Sequence, residues 1–281
     1  MKKILNLIIV ALTVLTSANG QNVSIMTYNI RYNNVNDGVN RWDQRKDVLL
    51  GQIIFFSPDV FGIQEGLEDQ VAYLNDNLKD YDYEGVGRAD VKEKGKGEFS
   101  AVFYNSKKFK KLKGGTFWLS ETPDKPSRGW DASLNRICTY VLLKDKKTHK
   151  QFWVFNTHFD HKGEKARSES AKLIIKKIAE LNWDDSPVFL TGDFNLRPDS
   201  EPIKFLSEKM HDSRKVTKLA PYGPVGTYNG FKVCENPEIR IDYIFTSPDN
   251  IDVLKYGVLA EVQDIRYPSD HFPVLVVAEI K

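Results

Sequence analysis

The feature of this sequence that most limits its fold is a set of short apolar segments that each meet polar side chains at one end. Val23–Ile30, Asp59–Gln64 and Val188–Thr191 are rich in β-branched and aromatic residues, a composition that predicts buried strands. Carboxylates, amides and imidazoles stand at the ends of these and similar segments. Because ligand sites in α/β proteins gather at the rim of a sheet, the pattern predicts a polar site where the strands end.

Helical and strand-like segments alternate along the chain. Gln44–Phe56, Gln70–Leu78 and Glu164–Leu181 have the apolar spacing of helices with one buried side. Further strands are predicted at Phe99–Tyr104, Thr139–Leu143, Phe152–Thr157, Ile241–Thr246 and Val274–Glu279. The alternation, with antiparallel hairpins among the strands, predicts an α/β sandwich of mixed sheets.

Residues 1–20 have the layout of a secretory signal peptide. Lys2 and Lys3 precede an apolar run, Leu5–Leu15, and Thr16–Gly20 supplies the small and polar residues of a cleavage region. The run is shorter than the roughly 20 residues that span a bilayer, so we expect no stable membrane anchor. The sequence thus predicts one exported domain, residues 21–281, that is secreted or periplasmic.

Composition and charge narrow the class of function. The 281 residues are 41% hydrophobic and 28% charged, which fits a globular enzyme and neither a disordered nor a collagen-like chain. The net charge is +2, and loss of Lys2 and Lys3 leaves 38 basic against 38 acidic residues. Tight nonspecific binding to nucleic acid draws on a basic surface, so charge gives a nucleic-acid partner no support without excluding one.

Three local features carry less weight. The Lys-rich stretch Lys92–Lys113 is predicted to be a solvated loop and strand edge. Cys138 and Cys234 lack the spacing of a zinc site, and a domain of this size does not need them to pair. We expect a monomer.

The segment Thr191–Asn195 offers the strongest chemical signal. Gly192 permits a sharp turn after the strand, and Asp193 and Asn195 lie two positions apart, so in an extended segment both would point to the same side. One supplies charge, and the other supplies a neutral amide that can hold a phosphoryl oxygen or a water. The alternative interpretation is an Asx turn with no catalytic role.

Two further acids and a histidine follow the same pattern. Glu65 comes after a buried strand and is a candidate oxygen ligand for Mg²⁺ or Mn²⁺, although an acid before a helix also favours the helix dipole. Asp270 is a second candidate ligand, and His271 can give or take a proton near neutral pH. Asp242 is predicted to orient the His271 ring.

A second histidine has a similar setting. His158 closes a strand, and Glu98 begins another, so Glu98 is predicted to orient His158. A lone histidine is also explained as a packed residue without a role. His149 and His211 look like surface residues, and His161 is ambiguous.

The set of groups selects a reaction class. The chain has neither a serine nucleophile elbow nor a phosphate-cradling glycine loop. Carboxylates with an amide and two imidazoles suit metal-assisted attack of water on phosphorus. A glycoside hydrolase with paired carboxylates would not need the asparagine and histidines.

Seven short motifs together resemble the endonuclease/exonuclease/phosphatase superfamily. In order they are MTYNIR (Met26–Arg31), DVFGIQE (Asp59–Glu65), EFSAVFY (Glu98–Tyr104), NTHFDH (Asn156–His161), TGDFN (Thr191–Asn195), RIDYIF (Arg240–Phe245) and SDHFPV (Ser269–Val274). The resemblance implies a four-layer fold with two mixed sheets between helices, and a Mg²⁺ or Mn²⁺ cofactor.

The resemblance also implies a role for each candidate residue. Metal would bind chiefly Glu65, with Asn29 and Asp270 close by. Asp193 would activate or position water, and Asn195 would hold phosphate. The remaining residues would stabilise the transition state or protonate the leaving group, as the pairs His271 with Asp242 and His158 with Glu98.

Two segments resemble a secreted bacterial subgroup near the deadenylase branch. They are Arg41–Lys46 and Phe117–Pro123, the second running on to Gly129, Trp130, Asp131 and Arg136. Arg136 is a candidate phosphate clamp. Trp42 and Trp130 either line the pocket or pack in the core.

Several functions remain open from the sequence. The first is a phosphodiesterase or phosphatase for a small or lipid-like phosphate ester, and the second is a secreted nuclease. A sphingomyelinase-like activity would need an exposed aromatic hairpin, for which Trp118 and Trp130 are the candidates. A catalytically inactive binding module is the alternative from another class.

Overall fold

The computed structural model describes residues 21–89 and 97–281, so the predicted signal peptide lies outside the described residues. Within these ranges there are five α-helices: α1 (Trp42–Phe56), α2 (Glu68–Asn77), α3 (Glu164–Leu181), α4 (Glu201–Lys209) and α5 (Ser213–Val216). A 3-10 helix covers Val35–Asn40. None of the helices in the described ranges is both long and apolar enough to cross a membrane.

Twelve strands form two six-stranded sheets in the described part of the chain. They are β1 (Gln21–Asn29), β2 (Val60–Gln64), β3 (Tyr81–Glu84), β4 (Val102–Asn105), β5 (Phe109–Trp118), β6 (Ile137–Asp145), β7 (Gln151–His158), β8 (Val188–Asp193), β9 (His211–Asp212), β10 (Asp242–Thr246), β11 (Ile251–Val258) and β12 (Val274–Ile280). The first sheet has the order β11-β12-β1-β2-β4-β3, and the second has the order β5-β6-β7-β8-β10-β9. Parallel pairs (β1 with β2, β7 with β8) stand among antiparallel ones, so both sheets are mixed.

Three apolar clusters hold four layers together. One lies between the sheets and contains Val60 and Val276 from the first and Val154 from the second. The other two join the first sheet to α1 and α2 and the second sheet to α3 and α4. The predicted four-layer α/β sandwich is therefore confirmed.

Some elements escaped the sequence prediction. The strands β3, β5 and β11 and the helix α4 were not foreseen, and the predicted strand Phe99–Tyr104 begins only at Val102. Strand β5 carries lysines and two glycines and lies at a sheet edge, where charged residues hinder pairing with another chain. The composition of β5 is therefore typical of an exposed sheet edge and lacks the apolar pattern by which a buried strand is recognised.

A buried polar contact joins the two sheets beneath their common rim. The Asn156 side chain on β7 donates to the carbonyls of Ile63 and Ala101 in the first sheet, at 2.8 and 3.0 Å. Its Oδ1 accepts from Gln64 at 2.7 Å and from Thr191 at 3.0 Å. We call these contacts the Asn156 bridge. A side chain at Gly62 would come within 2.4 Å of Asn156, so glycine is required where the sheets approach.

Candidate active site

Strand direction explains why the predicted residues meet at one rim. Asn29, His158 and Asp193 close β1, β7 and β8, and Glu65 follows β2. Asp242 begins β10, and Asp270 and His271 precede β12, in agreement with the strands predicted at Ile241–Thr246 and Val274–Glu279. These two strands run antiparallel to their neighbours, so their starting ends reach the same rim.

Asn29 connects two carboxylates at the centre of the cleft. Its Nδ2 donates to Glu65 Oε1 and to Asp193 Oδ2, both at 3.0 Å. Its Oδ1 accepts from the backbone N–H of Arg31 at 3.0 Å. In this orientation the amide positions the carboxylates, and its predicted role as a metal ligand would require the amide to turn over.

The chain turns sharply after Asp193, contrary to the extended segment that we expected. Asn195 has a φ of 51°, and its N–H donates to Asp193 Oδ1 at 2.8 Å, so an Asx turn is present. Its side-chain amide donates to His158 Nε2 and to the Phe159 carbonyl, both at 3.0 Å. A side chain at Gly192 would come within 2.2 Å of the Thr157 carbonyl oxygen. The turn therefore brings Asn195 back over β7.

His271 is surrounded by carboxylates. Its Nδ1 lies 2.9 Å from Asp242 Oδ2, as predicted for an orienting pair, and its Nε2 lies 3.8 Å from Asp193 Oδ2. Burial lowers the pKa of His271, but Asp242, Asp193 and Asp270 outweigh burial and hold that pKa well above its usual value. Burial, with a contribution from Asp242, raises the pKa of Asp193 to about 7, against the opposing effect of His271.

His158 lies on the other side of Asp193, at 3.5 Å between Nε2 and Oδ2. Its predicted partner Glu98 does not form a hydrogen bond with it, since Nδ1 and Oε2 are 3.9 Å apart. Glu98 instead accepts from Arg88 at 2.7 Å, because the guanidinium is the stronger donor for a carboxylate. Burial lowers the pKa of His158 well below its usual value, and the charges of Arg136 and Arg88 add to that effect.

The carboxylates fit a divalent cation. Hard oxygen donors of this kind suit Mg²⁺ or Mn²⁺. Burial is the largest cause of the raised pKa of both Asp193 and Asp270, and repulsion from Glu65 adds to it for Asp270. A cation would relieve both effects.

Two groups in the described residues are close enough to share one ion. Their members, with ligand atoms within 4.8 Å of one another, are Glu65, His158 and Asp193 in one group and Asp193, Asp242 and His271 in the other. Asp270 belongs to neither group in the described ranges.

The predicted phosphate clamp, Arg136, is buried and partly engaged. Its Nε lies 3.4 Å from Asp160 Oδ2, and its Nη2 lies 3.1 Å from His161 Nδ1. Its Nη1 is buried without a hydrogen-bond partner in the described residues. The Nη1 group of Arg136 is thus available to donate to an anion.

Most of the predicted site residues line one cleft of about 700 Å³, although Asn29 and Asp242 do not, and several other residues that line it were not predicted. These are Arg31, Tyr32, Leu134, Arg197, Tyr228, Ile239 and Ile241, together with the ambiguous His161. Arg31 and Arg197 each stand two positions after a predicted site residue, Asn29 and Asn195, and that adjacency was the available signal. The apolar members give the cleft a wall that could face a carbon skeleton.

The tryptophans lie elsewhere. Trp42 is buried in the helix-covered core, with its ring centroid 5.7 Å from that of Tyr73, so it does not line the cleft. Trp130 is also outside the cleft lining. Trp118 belongs to β5, and its indole N–H donates to the Arg88 carbonyl at 3.1 Å, which argues against an exposed aromatic hairpin.

Comparison with known proteins agrees with this geometry. The model of the Endonuclease/Exonuclease/phosphatase family matches residues 26–271. A solved structure of a family protein from Bacteroides thetaiotaomicron is 40% identical with a TM-score of 0.89, covering 94% of this chain and 99% of that one. The mannosyl-6-phosphatase of the same species is 41% identical with a TM-score of 0.86, covering 91% and 99%.

A more distant relative has a nucleic-acid activity in its name. The 3'-5'-exoribonuclease subunit of the CCR4-Not complex of Mycosarcoma maydis is 25% identical over 301 residues, which cover 83% of this chain and 44% of that protein. The family model, by contrast, spans most of this chain with its polar rim included. The chain therefore belongs to the endonuclease/exonuclease/phosphatase family of phosphoester hydrolases.

Proposed function

We propose that this chain is a divalent-metal-dependent phosphomonoesterase that removes phosphate from a small phosphorylated sugar. The observation that supports this most is a bounded cleft in which carboxylates, imidazoles and arginines converge on a volume of about 700 Å³. That volume is typical of sites for small ligands. The 41% identity to a mannosyl-6-phosphatase supports a sugar as the leaving group.

The residues divide the reaction between them. Arg31, Arg136 and Arg197 line the cleft and bind the phosphate oxygens. Asp193 takes a proton from the attacking water. Asn195 donates its two amide hydrogens to His158 Nε2 and to the Phe159 carbonyl, so it releases one of them to hold a phosphoryl oxygen. His271, whose pKa is raised by its carboxylate neighbours, gives a proton to the departing sugar oxygen.

Metal would bind at Glu65, next to Asp193 and Asp270. A bound divalent cation there would offset phosphate charge and stabilise the leaving oxygen. Asn29 holds Glu65 and Asp193 in place for it.

We also propose that the domain acts outside the cytoplasm, as a monomer. The charged and apolar regions of residues 1–20 support export.

A substrate panel tests this function. The purified domain, residues 21–281, is assayed with Mg²⁺, with Mn²⁺ and with EDTA on mannose 6-phosphate, other hexose phosphates, an aryl phosphate monoester, its diester, RNA and DNA. We expect metal-dependent phosphate release, fastest from a hexose phosphate and lost in Asp193→Ala. Failure to cleave any phosphoester would contradict the enzyme assignment, and activity that survives in Asp193→Ala would mean that the site lies elsewhere.

A nuclease is the second candidate, favoured by the exoribonuclease relative. Three lysines in the described part of the Lys-rich stretch give it little support. Lys107, Lys108 and Lys111 pair with Asp80, Asp59 and Glu84 at 2.6 to 2.8 Å, so their charge is largely compensated. Faster cleavage of RNA or DNA than of hexose phosphates would favour the nuclease.

A further inference from the structure

Arg31 places a fixed positive charge beside the carboxylates of the cleft. Its Nε and Nη2 donate to the two Asp37 carboxylate oxygens at 2.9 and 2.8 Å, a bidentate pair. The guanidinium also lines the cleft. Its Nη1 lies 4.0 Å from Glu65 Oε2, and its Nε lies 3.9 Å from Asp270 Oδ2.

The surroundings hold Arg31 in an unusual conformation. Its φ is 53°, a left-handed value that costs a non-glycine residue energy and persists only where neighbours enforce it. The Arg31 carbonyl accepts from Arg45 and from Gln70, and the guanidinium lies 4.4 Å from the centroid of the Tyr32 ring. The charge is therefore held where it stands and does not swing freely through solvent.

A cation bound between Glu65 and Asp270 would be repelled by the positive charge of Arg31. Enzymes that use two metal ions hold them about 3.5–4 Å apart with shared carboxylates. Here a guanidinium that remains charged at any ordinary pH already stands within 4.0 Å of both carboxylates. Glu65 and Asp193 are instead joined through the neutral side-chain amide of Asn29.

We propose that Arg31, clamped by Asp37, takes the place of a second metal ion, so that the site binds one divalent cation per chain with an affinity that Arg31 limits. This rests on the metal dependence of the proposed function. The like charges of Arg31 and the ion repel, and this repulsion weakens metal binding to the free enzyme. The same permanent positive charge of Arg31 attracts the substrate phosphate.

Metal titration of the substrate-free domain tests the proposal without reference to activity. Protein stripped with EDTA and dialysed is titrated with Mn²⁺, with free Mn²⁺ followed by electron paramagnetic resonance and binding heat by calorimetry. We expect one Mn²⁺ per chain for the natural protein. We expect Arg31→Met to bind Mn²⁺ with a Kd lower by about tenfold or more, since the repelling charge is gone.

Three variants serve as controls. Arg31→Lys keeps the charge and should keep the Kd near its natural value. Arg128→Met removes an equal charge from an exposed position outside the cleft lining, and it measures the effect of net charge alone. Arg31→Gln is a second neutral variant, used if Arg31→Met fails to fold by circular dichroism.

The outcomes separate the two proposals. Two Mn²⁺ ions in the natural protein, or a Kd in the neutral Arg31 variants that changes no more than in Arg128→Met, would overturn the role of Arg31 and leave metal dependence intact. An absence of Mn²⁺ binding in every folded variant would overturn both.

Discussion

His158 and His271 lie in the same cleft, and both are buried, yet their surroundings drive their pKa values in opposite directions. The charged neighbours that dominate at His158 are the guanidinium groups of Arg136 and Arg88. Those that dominate at His271 are carboxylates, above all Asp242. These surroundings favour the neutral form of the first histidine, which accepts from Asn195, and the charged form of the second.

The contrast shows that the motif around a histidine does not determine its chemistry. Both residues stand at the rim of a sheet, and a carboxylate was predicted for each. At His158 that carboxylate, Glu98, is held by Arg88, whereas at His271 the carboxylate of Asp242 is hydrogen-bonded to the ring. We infer that His271 handles the proton and that His158 positions Asn195.

The largest effect should come from His271→Gln. Glutamine cannot carry the charge or donate a proton of suitable pKa, so kcat should fall by about 10³-fold. The measurement is the steady-state rate on the best hexose phosphate with saturating metal. If kcat falls less than in His158→Gln, the assignment of the two histidines is reversed.

Asp242→Asn should reduce kcat by about 100-fold, because the ring loses the partner that orients it. It should also shift the pH profile. Asp242 raises the pKa of His271, so its loss lowers that pKa, and activity that depends on the charged ring disappears at a lower pH. A high-pH limb that stays in place in a kcat–pH profile would contradict the pairing.

His158→Gln should cost about tenfold in kcat at most, since the glutamine amide oxygen can accept from Asn195 as Nε2 does. The pKa of His158 is depressed, so the natural ring is neutral throughout the working pH range, and the pH profile should keep its shape. The control His158→Ala removes the acceptor and should be worse. A changed high-pH limb in His158→Gln would show that His158 exchanges a proton.

Asp160→Asn should affect stability more than rate. Asp160 accepts backbone N–H groups of Ser133, Leu134, Lys162 and Gly163, and it lies beside Arg136. We expect a loss of about 1–3 kcal/mol in the free energy of unfolding at pH 7, with kcat changed about twofold at most.

The pH dependence of Asp160→Asn has a definite sign. Burial raises the pKa of Asp160, but the backbone donors and Arg136 outweigh burial and hold it well below its usual value. The carboxylate therefore stabilises the fold above about pH 4, and that contribution is lost as the pH falls through the depressed pKa. Urea unfolding at pH 7 and in acid should show the gap between the two proteins closing in acid; a constant gap would contradict it.

Much of the fold and the identity of the site residues could be predicted, because both depend on patterns that the sequence displays. Apolar runs such as Val188–Thr191 indicate buried strands. The ends of buried strands meet at the rim of the sheet, so the polar residues there could be identified. The partner of a polar group is a different matter. Glu98 prefers Arg88 to His158 over differences of about an ångström, which no spacing in the sequence encodes.

The Asx turn at Asn195 stood only as the alternative interpretation, and the position of Arg31 was missed, for a related reason. Both are non-glycine residues with positive φ, and Glu65 is a third such residue at the rim. Their conformations are enforced by tertiary contacts that local propensity opposes. Trp42 stands near a motif, but it packs in the core because it lies on the apolar face of α1.

The Asn156 bridge has a consequence for how catalytic residues are identified in this protein. The residues of the cleft come from both sheets, so the alignment of one sheet on the other sets the distances among them. In an alanine scan scored by activity, Asn156→Ala would lose activity as His271→Ala does. Yet the Asn156 side chain lies beneath the cleft, and it bonds only to other buried groups of the two sheets. Scoring the same scan by Mn²⁺ binding and by unfolding would separate the groups that react from those that keep the two halves in register.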